Sequence, residues 1–150
     1  AILKDSNSGA FAIIGGLVYI LLYFAAMLTF NSAVKIYILA ISYMLIRAYS
    51  ALALIVFKNA RGSGLAFEFS EKSLIYTNRT VLIIFILFGS AAMIIVNVNY
   101  GLLCAISTFL VFLYYRVKSF EEFGGITGDL AGYFLQLAEL VVVLVLALAP

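Results

Sequence analysis

The chain has 150 residues, of which 66% are hydrophobic and 11% charged, with a net charge of +2 and a mean hydropathy of +1.19. An ordinary soluble domain is roughly 45 to 50% apolar, so this composition predicts an integral membrane protein. Histidine is absent and Cys104 is the single cysteine, which excludes Ser-His-Asp and Cys-His catalysis, His-ligated zinc and an intrachain disulfide.

Any chemistry left to the chain must use carboxylates, hydroxyls, Lys and Arg, and oxygen-only ligands favour a hard cation such as Mg²⁺, Mn²⁺ or Ca²⁺. No arginine-rich tract or basic arm is present, so nucleic acid is not an expected partner. The chain opens Ala1-Ile2-Leu3, without a basic stretch or a small-residue cleavage site, and is not expected to begin with a signal peptide.

The first polar segment, Lys4-Asp5-Ser6-Asn7-Ser8-Gly9, stands at the mouth of an apolar run. A Ser or Asn there can cap a helix and leave amide donors facing an anion; the simpler reading is an ordinary cap with flanking charges. Apolar stretches then follow at about residues 9 to 30, 34 to 57, 80 to 98, 100 to 115 and 130 to 149. Each approaches the length a helix needs to cross about 30 Å of hydrocarbon, the fourth being the shortest. No stretch alternates with period 2, so the expectation is an all-α polytopic membrane fold of five transmembrane helices forming one domain.

Five spans place Lys4, Lys58, Arg61, Lys72, Arg79, Arg116 and Lys118 on one face of the membrane and Lys35 alone on the other. The positive-inside rule makes the first face cytoplasmic, and every polar motif lies on it. The expected location is therefore a cytoplasmic (inner) membrane, multi-pass, with the working face toward the cytoplasm. In the loop that starts at Lys58, Phe67 and Phe69 read as interfacial residues dipping into lipid.

Arg47 lies near the middle of the second span, where a charge costs at least about 2.5 to 3.5 kcal/mol on insertion scales and demands a partner or a wet cavity. Arg47, Ser50, Lys58 and Arg61 fall near one helical face, a stripe that could hold phosphates. The alternative is an Arg47–Glu139 structural pair, with Lys58 and Arg61 only marking the membrane boundary. Cys104 reads as a packing residue, and Glu121 and Glu122 beside Lys118 as a solvated loop end.

Ahead of the last span stands Gly124-Gly125-Ile126-Thr127-Gly128-Asp129. The four-residue recurrence of Gly124, Gly128 and Gly132 fits a small-xxx-small packing seam; it equally fits a backbone nest whose amides face phosphate oxygens, with Asp129 on a metal. Asp129, Gly132, Gln136 and Glu139 share a face of the last span, and an intramembrane Glu139 is a functional hypothesis by default.

Taken together, Lys4-Asp5-Ser6 with Gly9, Arg47-Ala48-Tyr49-Ser50, Ala60-Arg61 with Gly64-Leu65-Ala66, and the Gly124–Asp129 turn with Gly132 and Glu139 resemble the cobalamin synthase family. This is the adenosylcobinamide-GDP ribazoletransferase family, also called cobalamin 5′-phosphate synthase. The resemblance runs through all the residues in order and implies a Mg²⁺-dependent enzyme at the cytoplasmic face. Such an enzyme joins adenosylcobinamide-GDP to α-ribazole or its 5′-phosphate and releases GMP. It further implies Asp5, Asp129 and Glu139 as catalytic residues, with Asp5 and Asp129 on the metal. Lys4, Ser6, Arg47, Ser50, Lys58, Arg61, Gly125, Thr127 and Gly128 are the implied substrate-binding residues. The bilayer is a further partner, and a homo-oligomer is compatible with the sequence.

Two positions depart from the family pattern: Lys58-Asn59 stands where Pro-Lys is usual, and Gln136 where a Glu is usual. An acidic motif that the family carries upstream of the KDS segment is not in these residues. The chain therefore reads as about the C-terminal three fifths of a family member, inactive by itself. The rivals are a phosphatidyltransferase acting on a CDP-linked lipid, a small transporter component drawn from Arg47 and Glu139 at membrane depth, and a purely structural helical module.

Overall fold

A computed structural model describes residues 9–60 and 75–149. Among them are five helices: α1 Ala10–Leu28, α2 Ala33–Val56, α3 Ile75–Val96, α4 Val98–Phe123 and α5 Gly128–Leu148. All five are long and apolar enough to cross a membrane, as the hydropathy predicts. Consecutive spans run in opposite directions. One end of the bundle gathers Lys58, Arg79, Arg116 and Lys118 and is called here the basic end; the other carries Lys35.

Helices α2, α3, α4 and α5 each pack on the next and close a four-helix bundle, while α1 lies outside it against α5. Ile38, Leu45, Ile46, Met93, Cys104, Phe134, Ala138, Val142 and Leu146 are the buried interior, and Cys104 is the packing residue expected. Between α3 and α4 the chain reverses in a single residue, Asn97. Its side chain accepts from the Tyr100 amide at 3.0 Å and caps α4. Gly101 makes this hairpin possible, since a Cβ there would sit 2.4 Å from the Met93 carbonyl oxygen. At the same end Lys35 is buried, donates to the Ala149 carbonyl at 2.9 Å and lies over the Tyr100 ring. A cation placed on the last carbonyls of α5 complements that helix's dipole.

Two expectations are corrected. Among the described residues the fourth span is the longest helix, 26 residues, rather than the shortest, and residues 116–123 continue it instead of forming a loop. Hydropathy falls after Tyr115, but helix formers carry the backbone on, and Lys118 pairs with Glu122 one turn later at 2.8 Å. The helix is about 39 Å long at 1.5 Å per residue, so its last turns project beyond about 30 Å of hydrocarbon. Conversely, α2 stops at Val56, because Phe57 is already extended (φ −91°, ψ 146°). Lys58 therefore does not continue the Arg47–Ser50 helical face. Phe57 instead packs among Phe112, Tyr115 and Phe120, an aromatic cluster that holds the exit of α2 against α4.

Candidate functional site at the basic end

Gly124 ends α4 in the left-handed region (φ 70°), a conformation that favours glycine. Its amide donates to the Phe120 carbonyl, and that of Gly125 to the Ser119 carbonyl, each at 3.1 Å. The chain then meets the exit of α2. Ile126 N–H donates to the Lys58 carbonyl and Ala60 N–H to the Ile126 carbonyl, both at 2.9 Å, so that Asn59 and Ile126 pair as a short parallel bridge. Gly125 lies so close to this segment that a Cβ would stand 2.4 Å from the Lys58 carbonyl oxygen and 2.9 Å from the Ala60 nitrogen. Ile126 is buried beneath the bridge. Two segments separated in the chain by all of α3 and all of α4 are thus locked together by backbone.

Thr127 then caps α5, its Oγ1 accepting from the Leu130 amide at 3.3 Å. Asp129 falls in the first turn of α5, where a carboxylate is favoured by the helix dipole, and is exposed. Neither sequence reading of the glycines survives intact. Gly124 lies outside the helix, and a Cβ on Gly128 or Gly132 would meet nothing within 4 Å, so no packing seam forms there among the described residues. The amides of Gly124, Gly125 and Ile126 are already given to carbonyls, so the stretch from Gly124 to Ile126 is a structural latch rather than an open nest.

A second polar group lies deeper. Arg47 Nη1 donates to Glu139 Oε1 at 2.7 Å and to the Tyr43 carbonyl at 3.3 Å. The Arg47 side chain is 59% exposed and that of Glu139 15%. Tyr43 hydrogen-bonds Tyr23 of α1 through their hydroxyls, and Tyr19, one turn before Tyr23, has its ring tilted against that of Tyr23 at a centroid distance of 6.0 Å. The Tyr23–Tyr43 bond and the Arg47–Glu139 pair join α1, α2 and α5 at mid-membrane. Glu139 follows Asp129 by ten residues, about 15 Å along the helix at 1.5 Å per residue, so the two acids do not share one centre.

Removing either partner of the Arg47–Glu139 pair strands a charge in the apolar layer, whereas removing both does not. Glu139→Gln is expected to lower stability by about 1 to 2 kcal/mol, with Arg47→Leu/Glu139→Leu recovering most of that loss. A double-mutant cycle on thermal unfolding in detergent reads the coupling, and additive single effects would show that the pair contributes nothing.

Of the other residues implied as site members, Lys58 is exposed beside the latch, Ser50 is buried in α2, and Lys4, Asp5, Ser6 and Arg61 lie outside the described residues. The interfacial reading of Phe67 and Phe69 also falls outside them. Among the described residues no three acidic or thiol side chains gather as a metal cluster. Magnesium keeps several waters and uses one or two carboxylates with substrate phosphates, so an exposed Asp129 fits it as a partial ligand. The sequence reading missed Tyr19, Tyr23 and Tyr43. Their signal was present as tyrosines four residues apart in one span and as Tyr43 one turn before Arg47.

Residues 1–147 match the model of the family described as cobalamin-5-phosphate synthase. Curated relatives named adenosylcobinamide-GDP ribazoletransferase include one from Lachnoclostridium phytofermentans, 37% identical over 150 residues, covering 99% of this chain and 56% of the relative. Another, from Ectopseudomonas mendocina, is 32% identical over 99% of this chain and 59% of the relative. A third, from Clostridium botulinum, is 31% identical over 93% of this chain and 56% of the relative. The chain therefore spans a little over half the length of these relatives. No solved structure matches it.

Proposed function

Because the chain belongs to the cobalamin-5-phosphate synthase family, we propose that its basic end forms part of the active site of a membrane transferase. That enzyme joins adenosylcobinamide-GDP to α-ribazole or its 5′-phosphate. The observation that carries this reading is the latch between Lys58–Ala60 and Gly125–Ile126. It fixes a cation, Lys58, and an acid at a helix N-terminus, Asp129, at the same end of the bundle. A pyrophosphate-bearing substrate needs both, one to offset phosphate charge and one to hold a hydrated cation or take a proton.

In this proposal the basic end faces the cytoplasm, and Asp5 and Asp129 would hold Mg²⁺ together with acidic residues from the rest of the protein. When bound, that ion would neutralise phosphate charge and lower the barrier to displacement. Lys58, Arg61, Lys4, Ser6 and the α5 start at Gly128 would bind the phosphates. A ribose hydroxyl attacks the phosphorus attached to cobinamide, forming a P–O bond as the anhydride bond to GMP breaks. Asp129 takes the hydroxyl proton where it is not a metal ligand. Thr127 and Gly125 act by shaping the α5 start, and Arg47 with Glu139 by holding α2 and α5 in register.

The test is GMP release by the full-length protein in detergent or vesicles. It should require adenosylcobinamide-GDP, α-ribazole or its phosphate, and a divalent ion, fall to background with a chelator and return with Mg²⁺. CMP release from CDP-diacylglycerol, with no turnover of adenosylcobinamide-GDP, would instead identify a lipid phosphatidyltransferase. Chelator-resistant turnover would remove the metal from the proposal.

A further inference from the structure

Beside the start of α5 the bundle has a cavity of about 250 Å³ between α4 and α5, lined by Tyr114, Tyr115, Lys118, Ser119, Leu130 and Tyr133 among others. Its floor is unusual. Tyr115 and Ser119 are each 1% exposed, and neither the Tyr115 hydroxyl nor Ser119 Oγ has a hydrogen-bond partner among the described residues. A buried hydroxyl left unpaired is costly, and native structures keep few without a reason. Two such hydroxyls, one turn apart on α4, belong to residues of the cavity wall but are themselves closed to water in this conformation, so a ligand reaches them only when the wall side chains part.

The remaining walls narrow the chemistry. Tyr114 and Tyr133 are 45% and 48% exposed, presenting aromatic surface on which a flat ring can stack. Among the described residues the cation at the rim is Lys118, already paired with Glu122 at 2.8 Å, and Glu121 is exposed next to it. A bare phosphate would therefore find, among the described residues, no unneutralised positive charge and two carboxylates nearby, whereas an uncharged ring carrying hydrogen-bonding atoms meets no such penalty. Location adds a further constraint: Leu130 and Tyr133 follow Asp129 by one and four residues, so a ring seated here has its exit beside that carboxylate.

We propose that the α4–α5 cavity seats the aromatic ring of the uncharged acceptor nucleoside. On seating, the wall side chains part so that Tyr115 and Ser119 hydrogen-bond the ring, the Tyr114 and Tyr133 rings lie against it, and its ribose emerges toward Asp129. This assignment rests on the transferase reading for the identity of the nucleoside, but the cavity's preference for an uncharged aromatic ligand follows from its walls.

The experiment is calorimetric titration of α-ribazole into the full-length protein, without the GDP-bearing substrate, for wild type, Tyr115→Phe, Ser119→Ala and the pair. Each single variant is expected to weaken binding about three- to tenfold, the loss of one hydrogen bond, and the pair more. Thermal stability should be unchanged or higher, because each variant removes an unsatisfied buried group, an outcome that a structural role for these hydroxyls would reverse. Thr108→Val serves as the control, since the Thr108 hydroxyl is equally buried and unpartnered but does not line the cavity, and it should bind like wild type. No binding by wild type, or unchanged affinity in both single variants, would overturn the assignment. GMP release measured in parallel separates this from the transferase reading: absent turnover with ribazole binding that depends on Tyr115 and Ser119 rejects the reaction and keeps the site.

Discussion

Asp129→Asn in the full-length protein is expected to reduce the rate of GMP release by about 10² to 10³, comparable to removing one group that stabilises transition-state charge. The substitution keeps the size and hydrogen-bonding shape of the side chain, and Asp129 is exposed at the first turn of α5, so the fold has little reason to respond. Losing a negative charge near the helix N-terminus should cost only about 0.3 to 1 kcal/mol. A metal ligand and a proton acceptor give different signatures. If Asp129 holds Mg²⁺, raising the metal concentration recovers part of the rate and the apparent metal affinity falls. If it takes the ribose proton, the rate stays low at saturating metal and its pH dependence loses the limb that belonged to the carboxylate. Wild-type turnover in Asp129→Asn would remove the α5 start from the chemistry altogether.

How far the sequence discloses this arrangement depends on the range of the interactions involved. The five spans are legible because each is decided locally, by the hydropathy of about 20 consecutive residues and the need to satisfy every backbone group in lipid. The end of α4 is not, because the boundary of an apolar stretch is the boundary of the hydrocarbon and not of the helix; Arg116–Phe123 continues into the aqueous region on ordinary helical propensity. Arg47 and Glu139 could be matched in advance because an isolated charge in the membrane needs a partner and few are present. The Lys58–Ile126 latch offers no such cue. Backbone hydrogen bonds between segments nearly 70 residues apart leave only a glycine as their trace, and Gly125 in a glycine-rich turn has several competing explanations. The unpaired hydroxyls of Tyr115 and Ser119 are silent in sequence for a related reason, since orphanhood is a property of what surrounds a group.

Gly125→Val is expected to be the most damaging substitution at the basic end, and its effect separates the latch from a direct contact with substrate. A Cβ at this position meets backbone on the opposing segment, 2.4 Å from the Lys58 carbonyl oxygen, and backbone cannot swing aside as a flexible side chain can. The strands must part, loosening the 2.9 Å bonds Ile126 N–H to Lys58 O and Ala60 N–H to Ile126 O. Overpacking and the loss of two hydrogen bonds together amount to about 2 to 4 kcal/mol, visible as a lower unfolding temperature in detergent. Lys58 and the start of α5 would then no longer be held together, so turnover should fall about 10²-fold in the fraction that remains folded. Gly132→Ala is the informative comparison, since its Cβ meets open space and alanine is favoured over glycine inside a helix by about 0.5 to 1 kcal/mol. It should leave stability unchanged or raised. If Gly132→Ala destabilises the protein as much as Gly125→Val, the exposed glycine face of α5 is covered by another part of the full-length protein and is a packing surface. If only Gly125→Val does so, the latch is what holds the two halves of the basic end together, and the open face of α5 beside Asp129 is free to meet a substrate.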